Sequence, residues 1–395
     1  MKICGVVAEY NPFHNGHARQ LEKARALSGC DYVIVCMGGG VSQRGEVMLL
    51  DKRPRARMAL EGGADLVVEL PALFAVRPAD AFARGGVLTL AGLGVDALSF
   101  GCETDDAALL ASLAHALDEE SAALSAETRR GLVEGKSHAR ARGEALEKLG
   151  GLPEGFLNQP NTVLALEYMR AAARLNRPVA IHVVKRLGDY HDATLGPLAS
   201  ASTIRSAVET GGAAAVRQAM PDSAFRLLSE CLREGRFARM ERLDSLLLYR
   251  LRAAAPGELA ALCDVSEGIE SLFLKHSEAA VSREDLLARV KSKRYTYARL
   301  SRFCACALLN LTHEDVLAHP APEYARVLGF RRDALPLLRR LKEIADLPLV
   351  TDVVRLRDNP LFRFDRAAAD LQALAMENPA FRAAGRDFTD PIAIV

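Results

Sequence analysis

The chain has almost no excess of charge of either sign. Its 395 residues include 51 lysines and arginines against 50 aspartates and glutamates, for a net charge of +1. This balance excludes a uniformly basic nucleic-acid coat but permits a local basic face. The chain also contains no tryptophan, so stacking on a nucleic-acid base would have to use tyrosine, phenylalanine, histidine or arginine.

Long apolar runs are absent as well. No run approaches the roughly 18 residues that would span a bilayer, and the apolar start of the chain reaches Glu9 before the core of a signal peptide could form. Half of the residues are hydrophobic and 26% are charged, a composition typical of globular proteins. We expect a cytoplasmic protein that contacts no membrane, and no protein partner is predicted.

The cysteines show no metal-binding spacing. They form no CxxC pair and no Cys/His pattern typical of a zinc site. The eight residues are Cys4, Cys30, Cys36, Cys102, Cys231, Cys263, Cys304 and Cys306, and most have apolar neighbours. We interpret them as small buried hydrophobic residues, and we predict no metal site built by the chain.

The N-terminal half alternates short apolar runs with segments of helical periodicity. The runs at 2–8, 32–37, 65–70, 94–100 and 179–184 predict strands, whereas 16–29, 53–62 and 105–150 predict helices. Strands that alternate with helices imply a parallel sheet with right-handed crossovers. The predicted fold class is therefore α/β, with a Rossmann-like, doubly wound parallel sheet.

The pattern changes after Gly211. Arg-rich amphipathic segments continue almost without strands to about residue 345, and 346–395 predicts a short strand with an irregular tail. Two glycines and Pro221 mark the change. We predict one domain over 1–215 and a mainly helical, Arg-rich domain over 216–395.

A polar turn separates the first predicted strand from the first predicted helix, at the sheet edge where ligands bind in open parallel sheets. The turn reads EYNPFHNGHARQ from residue 9. Pro12 fixes the chain, Asn15 can cap the helix, Gly16 allows close backbone approach, and the N–H groups of the first turn attract an anion. His14 and His17 can both donate hydrogen bonds to that anion. A capped turn with two incidental histidines is the alternative.

A basic segment lies at residues 283–302. Seven lysines and arginines face only Glu284 and Asp285, which leaves a local excess of five positive charges. Tyr295 and Tyr297 interleave with these charges, a combination that RNA-binding proteins use for phosphate contact and base stacking. A solvated helix face is the alternative.

The HNGH turn resembles the HxGH signature of the nucleotidyl transferase superfamily. Further segments, in chain order, are similar to the tRNA(Met) cytidine acetate ligase family: SQRGE at 42–46, ADLVVELP at 64–71, SFGCE at 99–103, QPN at 159–161, KRLGDYHD at 185–192, SASTIR at 200–205 and KSKRYTYARLSR at 291–302. The resemblance covers roughly residues 1–330. Eight ordered segments are far more specific than any one of them.

This resemblance implies an enzyme that activates acetate with ATP to acetyladenylate. The acetyl group then passes to the wobble cytidine of elongator tRNA(Met), forming N4-acetylcytidine. The implied partners are acetate and this tRNA, and the implied cofactors are ATP and Mg²⁺, because nucleotide phosphates need charge neutralisation.

The resemblance also implies that 1–215 is an ATP-binding catalytic domain and that 216–395 is a tRNA-binding domain, and it implies roles for particular residues. The implied catalytic residues are His14, His17, Ser202, Thr203 and Arg205. The implied ATP-binding residues are Val7, Ala8, Glu9, Tyr10, Asn11, Pro12, Phe13, Asn15, Gly16, Ala18, Arg19, Gln20, Gly101, Asn161 and Arg186. The implied tRNA-binding residues are Lys291, Lys293, Arg294, Arg299 and Arg302.

Some polar segments keep two interpretations. The family's Ser-Gly-x after the second strand is replaced here by Gly38, Gly39 and Gly40. The group Gln43, Arg44, Glu46, Lys52 and Arg53 either contacts phosphate or substrate, or consists of solvated charges. The group Asp189, His191 and Asp192 supplies either acid–base or magnesium-binding chemistry, or holds a turn.

Two other functions use the same fold. One is an adenylyltransferase of a small metabolite, for which the first domain alone would suffice; the Arg-rich C-terminal half argues against it. The other is a non-catalytic RNA-binding protein, and the presence of both histidines together with the SASTIR residues argues against lost chemistry.

Overall fold

A single mixed sheet forms the centre of the protein. The structure is a computed structural model that describes residues 1–119, 121–136, 138–187 and 195–395. The strands of this described part are β1 (Ile3–Ala8), β2 (Tyr32–Gly38), β3 (Leu66–Leu70), β4 (Ala97–Cys102), β5 (Ala180–Lys185), β6 (Ala325–Phe330), β7 (Leu349–Val350) and β8 (Ala393–Ile394). Their order is β5-β4-β1-β2-β3-β6-β7, with β8 paired to β6.

Helices cover the sheet and build most of the C-terminal half. In the described residues they are α1 (Asn15–Ser28), α2 (Lys52–Glu61), α3 (Ala72–Ala75), α4 (Ala79–Gly92), α5 (Ala107–Asp118), α6 (Ala122–Val133), α7 (His138–Gly150), α8 (Pro160–Ala173), α9 (Ala201–Ala215), α10 (Asp222–Glu234), α11 (Asp244–Ala253), α12 (Pro256–Ala260), α13 (Ile269–Ser277), α14 (Arg283–Val290), α15 (Tyr297–Leu309), α16 (His313–Ala318), α17 (Leu335–Ile344), α18 (Phe362–Leu374) and α19 (Arg386–Thr389). The predicted α/β class is confirmed.

Strands β1 to β5 pair in parallel, as the alternation of strands and helices predicts. Because successive side chains of a strand point to opposite faces, each strand supplies two cores. In β1, Ile3 belongs to one apolar cluster, whereas Cys4 and Val6 belong to the other. Burial on both faces explains the near-continuous apolar runs of these strands.

The sheet also contains strands from the C-terminal half. Strand β6 pairs antiparallel with β3, and β7 and β8 pair in parallel with β6. The expectation of almost no strand before residue 345 was therefore wrong for β6. An arginine, Arg326, lies within this six-residue strand and interrupts its apolar pattern, although every residue of β6 is buried.

A buried group of four charges explains how an arginine fits inside a strand. The amino group of Lys52 lies 2.6 Å from Glu69 and 2.8 Å from Asp387, while Arg326 lies 2.8 Å from Glu69 and 3.1 Å from Asp387. Two cations thus face two anions, which offsets the cost of taking each charge out of water. Burial raises the pKa of Asp387, but Lys52 and Arg326 outweigh it and hold that pKa below its usual range. The group links α2, β3, β6 and the last helix.

Two further expectations can be compared with this fold. All eight cysteines are free and buried, as predicted. In the part of the chain that the structure describes, no helix has both the length and the apolar character needed to cross a membrane.

Candidate active site

The turn between β1 and α1 is buried and includes one residue with an unusual backbone conformation, Tyr10. Tyr10 has a φ of +51° and the peptide bond between Asn11 and Pro12 is cis. A positive φ is rare for a bulky residue and is found mostly where the chain must turn sharply or where a site requires it. The Asn11 side chain is buried and accepts a hydrogen bond from the Leu49 N–H at 2.8 Å. The turn is therefore held in one shape.

The two histidines of the turn cap α1. Nδ1 of His14 accepts a hydrogen bond from the Gly16 N–H at 3.1 Å, and Nδ1 of His17 accepts one from the His14 N–H at 3.2 Å. This is the reciprocal arrangement of a capping box. The expectation that Asn15 caps the helix was wrong, because its amide donates to the carbonyls of Pro197 and Gln218, both at 2.9 Å.

The histidine rings stack and stay neutral. Their centroids lie 3.6 Å apart with an interplanar angle of 27°. Burial lowers the pKa of His14 to about 3, with a further contribution from the charge of Arg186. Burial also lowers the pKa of His17 well below its usual value, assisted by His14 and Arg186. A neutral imidazole whose Nδ1 accepts a hydrogen bond carries its proton on Nε2, so each ring is a preset Nε2–H donor.

Aromatic side chains hold these rings in place. The Tyr10 ring meets the His17 ring edge-on at 4.7 Å, and Phe13 lies 5.7 Å from the same ring. Tyr10 and Phe13 are 1% and 0% exposed. These two buried rings pack against the His17 ring and restrict its position.

A cleft opens in front of the histidines. Its lining includes His14, Gly16, His17, Arg19, Gln20, Gly101, Lys185, Arg186 and Leu198. Asn161 orients Arg186, because its side-chain oxygen accepts a hydrogen bond from the Arg186 guanidinium at 3.1 Å. The side-chain amide of Asn161 in turn donates to Glu103 at 2.7 Å. The structure therefore brings Gly101, Asn161 and Arg186 together with the histidine turn.

Cationic groups dominate the described lining. Arg19, Lys185 and Arg186 line the cleft, and no described carboxylate does. Among the described residues, the buried Nε of Arg19 has no hydrogen-bond acceptor. Buried donors without acceptors cost free energy that an anionic ligand would offset. The cleft is thus suited to a polyanion.

Helix α9 begins beside the same turn. Its N-cap is Ser200, whose hydroxyl lies 2.8 Å from the hydroxyl of Ser202 and 2.9 Å from that of Thr203. Arg205 donates to the Asn11 carbonyl at 2.9 Å and lies 3.9 Å from Glu46. The SASTIR segment is therefore joined to the turn through Arg205.

Packing requires two of the three glycines at the end of β2, Gly39 and Gly40. A Cβ atom at Gly39 would lie 2.5 Å from a carboxylate oxygen of Glu69, and one at Gly40 would lie 2.4 Å from the Ala368 carbonyl oxygen. The loop is held by the fully buried Arg55, which donates to the carbonyls of Glu9, Gly38, Gly39 and Leu50. Sequence reasoning missed Arg55, because a lone arginine in a helix carries no signal that it will be buried.

The other polar segments have separate positions. Lys52 belongs to the buried four-charge group, and Arg53 donates to the Leu328 carbonyl at 3.3 Å. The Gln43 N–H donates to Glu9 at 2.6 Å; burial raises the pKa of Glu9, whereas this hydrogen bond and Arg205 oppose the rise. Asp189, His191 and Asp192 lie outside the described residues.

Side chains of the basic segment 283–302 form more hydrogen bonds within the protein than the sequence indicates. Arg283 is buried and donates to Ser301 at 2.5 Å, and Arg299 donates to Ser266 at 2.6 Å. Tyr295 is only 3% exposed, so the expectation that it stacks on a base is not supported by its position. Tyr297 is 40% exposed, and Lys291, Lys293 and Arg294 are also exposed.

Comparisons with known proteins agree with this geometry. A family model described as HIGH Nucleotidyl Transferase matches residues 1–387. A tRNA(Met) cytidine acetate ligase from Caldanaerobacter subterraneus subsp. tengcongensis is 34% identical over 403 aligned positions, which cover 99% of each chain.

Two crystal structures are similar over 100% of both chains. TmcAL from Thermotoga maritima in an apo form has a TM-score of 0.93 at 32% identity. A second form of the same protein, bound with alpha-thio ATP, has a TM-score of 0.91 at 31% identity. The chain belongs to the HIGH nucleotidyl transferase family and, within it, to the tRNA(Met) cytidine acetate ligases.

Proposed function

We propose that the chain attaches acetate to the wobble cytidine of elongator tRNA(Met) in two steps. In the first step, an acetate oxygen bonds to the α-phosphorus of ATP and the bond to pyrophosphate breaks, which leaves acetyladenylate. In the second step, the cytidine N4 amine bonds to the acetyl carbon, AMP leaves with the electron pair of the broken bond, and the amine gives up a proton. The product is N4-acetylcytidine.

The stacked neutral histidines are the observation that carries this proposal. His14 and His17 hold their Nδ1 atoms on the backbone of α1 and keep a proton on Nε2. Preorganised neutral donors stabilise negative charge that develops on the α-phosphate and the departing pyrophosphate, and they need no reorganisation during the reaction. Arg186 adds a fixed cation in the same cleft.

The remaining residues of the nucleotide site are those that the family resemblance implies. We propose that the segment 7–20, Gly101 and Asn161 complete the ATP site, together with Ser202, Thr203 and Arg205 at the start of α9. Tyr10 and Phe13 contribute by holding the histidine rings.

We propose that Mg²⁺ enters with ATP. No group of three or more His, Cys, Asp or Glu side chains in the described part of the chain could hold a metal ion, and no described carboxylate lines the cleft. The ion would therefore depend on the nucleotide's own phosphate oxygens, which are ligands that Mg²⁺ prefers.

We assign tRNA binding to the C-terminal half. The exposed cations Lys291, Lys293 and Arg294 lie on one segment with Arg299 and Arg302, and such a segment contacts phosphates without reading sequence. The division into a catalytic part, 1–215, and a tRNA-binding part, 216–395, is part of the proposal. Because tRNA is the substrate, the proposed location is the cytoplasm.

The test uses purified protein with ATP, labelled acetate and tRNA(Met). We expect labelled N4-acetylcytidine at the wobble position, together with one AMP and one pyrophosphate per acetyl group transferred. Release of ADP and orthophosphate would refute cleavage at the α-phosphate. Acetate-dependent pyrophosphate exchange without any transfer to tRNA would instead favour a metabolite-activating enzyme.

A further inference from the structure

A second cavity lies away from the histidine cleft. Its volume is about 850 Å³, within the range of roughly 300–1,000 Å³ that is typical of small-molecule sites. The connection between α3 and α4, the segment between α12 and α13, and helices α15 and α16 form its walls. Arg77, Asp264, Arg299 and Arg302 line it, and none of its lining residues belongs to the histidine cleft.

Arg302 is the unusual group in this cavity. Among the described residues, its buried Nε has no hydrogen-bond acceptor. Burial lowers the pKa of Arg302, and Asp264 is the acid that opposes this most. Asp264 is already engaged, because Arg77 donates to both of its oxygens, at 3.0 and 2.8 Å. A partly buried guanidinium whose Nε has no acceptor costs free energy that a bound anion would offset.

The other charges of the cavity do not neutralise Arg302. Arg299 donates to Glu267, outside the lining, at 3.3 Å and to Ser266, which is part of the lining, at 2.6 Å. Glu314 is a second acid of the lining and is exposed at its rim. Among the described lining residues, Arg302 therefore remains a cation without a paired acid, although Asp264 and Glu314 offset part of the positive charge of the cavity.

Apolar walls accompany this cation. Pro78, Leu262, Val265 and Val316 line the same cavity. A free phosphate would leave these side chains in contact with water, whereas a nucleotide would cover them with its base and sugar. The combination of an unpaired guanidinium and an apolar wall favours a nucleotide residue that carries a phosphate.

The cavity is joined to the histidine turn by the loop 42–46. A Cβ atom at Gly45 would lie 2.6 Å from the backbone nitrogen of Arg302, so this loop contacts α15 directly. The Gly45 carbonyl accepts a hydrogen bond from Ser301 at 3.2 Å. On the other side of the loop, the Gln43 N–H donates to Glu9. A nucleotide in the cavity would thus be anchored beside the reacting edge of the sheet.

We propose that this cavity binds one nucleotide of the tRNA substrate, with Arg302 on its phosphodiester and its base against the apolar wall. The proposal rests on the proposed function, because tRNA is the source of the nucleotide. A free mononucleotide has the same chemistry, so the experiment distinguishes the two sources.

The experiment compares Arg302→Gln with the wild type in tRNA(Met) binding across a salt series. We expect about tenfold weaker binding, because a hydrogen bond to a charged group contributes about 1.4 kcal/mol or more and 1.4 kcal/mol is a factor of ten. The salt slope should fall by about one unit. Arg130→Gln, which removes an exposed arginine of α6 that is paired with Glu127, is the matched control and should bind tRNA as the wild type does.

Thermal unfolding separates a binding role from a structural one. Arg302→Gln removes a partly buried cation whose Nε has no acceptor, so its unfolding midpoint should equal or exceed that of the wild type. A lower midpoint together with unchanged tRNA binding would mean that Arg302 is structural and would overturn the proposal.

A chemical probe can identify the contacted phosphate. Single methylphosphonates, which neutralise one phosphate each, are scanned through the anticodon stem–loop of tRNA(Met). One position should weaken binding to the wild type and have no effect with Arg302→Gln. Equal effects in both proteins at every position would overturn the proposal.

One further outcome would assign the cavity to a different ligand, and another separates failure of this inference from failure of the proposed function. Binding of AMP or CMP that is lost in Arg302→Gln, with unchanged tRNA binding, would identify a free-nucleotide site and refute the tRNA assignment. If the wild type binds tRNA(Met) but does not acetylate it, the proposed function fails; if it acetylates tRNA(Met) and Arg302→Gln binds that tRNA normally, only this inference fails.

Discussion

Replacement of His14 by asparagine should flatten the dependence of stability on pH. The His14 ring is 4% exposed, and burial lowers its pKa to about 3 from an ordinary value of 6.5. Between these two values the folded protein binds fewer protons at this site than the unfolded chain does. Stability therefore rises with pH across this window and is lost as the pH falls below 6.5.

The magnitude follows from the two pKa values. Each pH unit inside the window is worth about 1.4 kcal/mol, so lowering the pH from about 8 to about 5 should remove about 2 kcal/mol of stability through His14 alone. Asparagine is a good N-cap and can keep the hydrogen bond from the first turn of α1. His14→Asn should thus lose about 2 kcal/mol less than the wild type over the same change in pH.

The assay is denaturant unfolding of both proteins at several pH values. Groups away from His14 act in both proteins and cancel in the difference; Asp365 is one, because burial raises its pKa to about 7 and makes it oppose His14. The control is His138→Gln, which removes an exposed histidine of α7 and should retain the wild-type profile. Parallel curves for the wild type and His14→Asn would refute the neutral, buried state of this ring.

Three further predictions concern separate parts of the molecule. His17→Ala should lower acetyladenylate formation roughly 10²–10³-fold, the cost of one preorganised donor, whereas tRNA affinity stays unchanged; full activity would exclude the phosphate role. Arg55→Ala should lower the free energy of unfolding by about 3 kcal/mol or more, because buried carbonyls lose their donor, whereas Arg57→Ala, which breaks a half-exposed pair with Glu61, should cost about 1 kcal/mol or less. Joint replacement of Lys293, Arg294 and Arg299 by glutamine should weaken tRNA binding and lower its salt slope by up to about three units. Identical binding at every salt concentration would mean that these side chains are solvated surface charges that do not contact tRNA.

Much of the fold was predictable from local patterns. The five N-terminal strands have largely apolar sequences because helices cover both faces of the sheet, and the polar turn after β1 stands out against them. Strand β6 was not predictable in this way. Its second residue, Arg326, is neutralised by Glu69 and Asp387, which are more than 50 residues away along the chain, and no local window contains that information.

The candidate site was also only partly predictable from the sequence. The residue types of the turn indicate anion binding, but their roles depend on hydrogen bonds that only the fold creates. His14 was predictable as a donor and not as the helix cap, and Asn15 was assigned the cap because asparagine is the commoner residue there. Tyr295 was a reasonable stacking candidate, yet its hydroxyl donates to the Glu267 carbonyl at 3.0 Å and its ring is buried.

The loop 42–46 contacts both proposed sites and connects them. Its Gln43 N–H is bonded to Glu9, Glu46 lies 3.9 Å from Arg205, and Gly45 packs on the backbone of α15. Gly45 also has a φ of +77°, so a larger residue there would be strained as well as crowded. A side chain at this position would push α15 away from the loop and separate Arg302 from the sheet edge that holds the histidine turn. If both proposals hold, the activation of acetate and the placement of tRNA depend on the same few contacts of this loop.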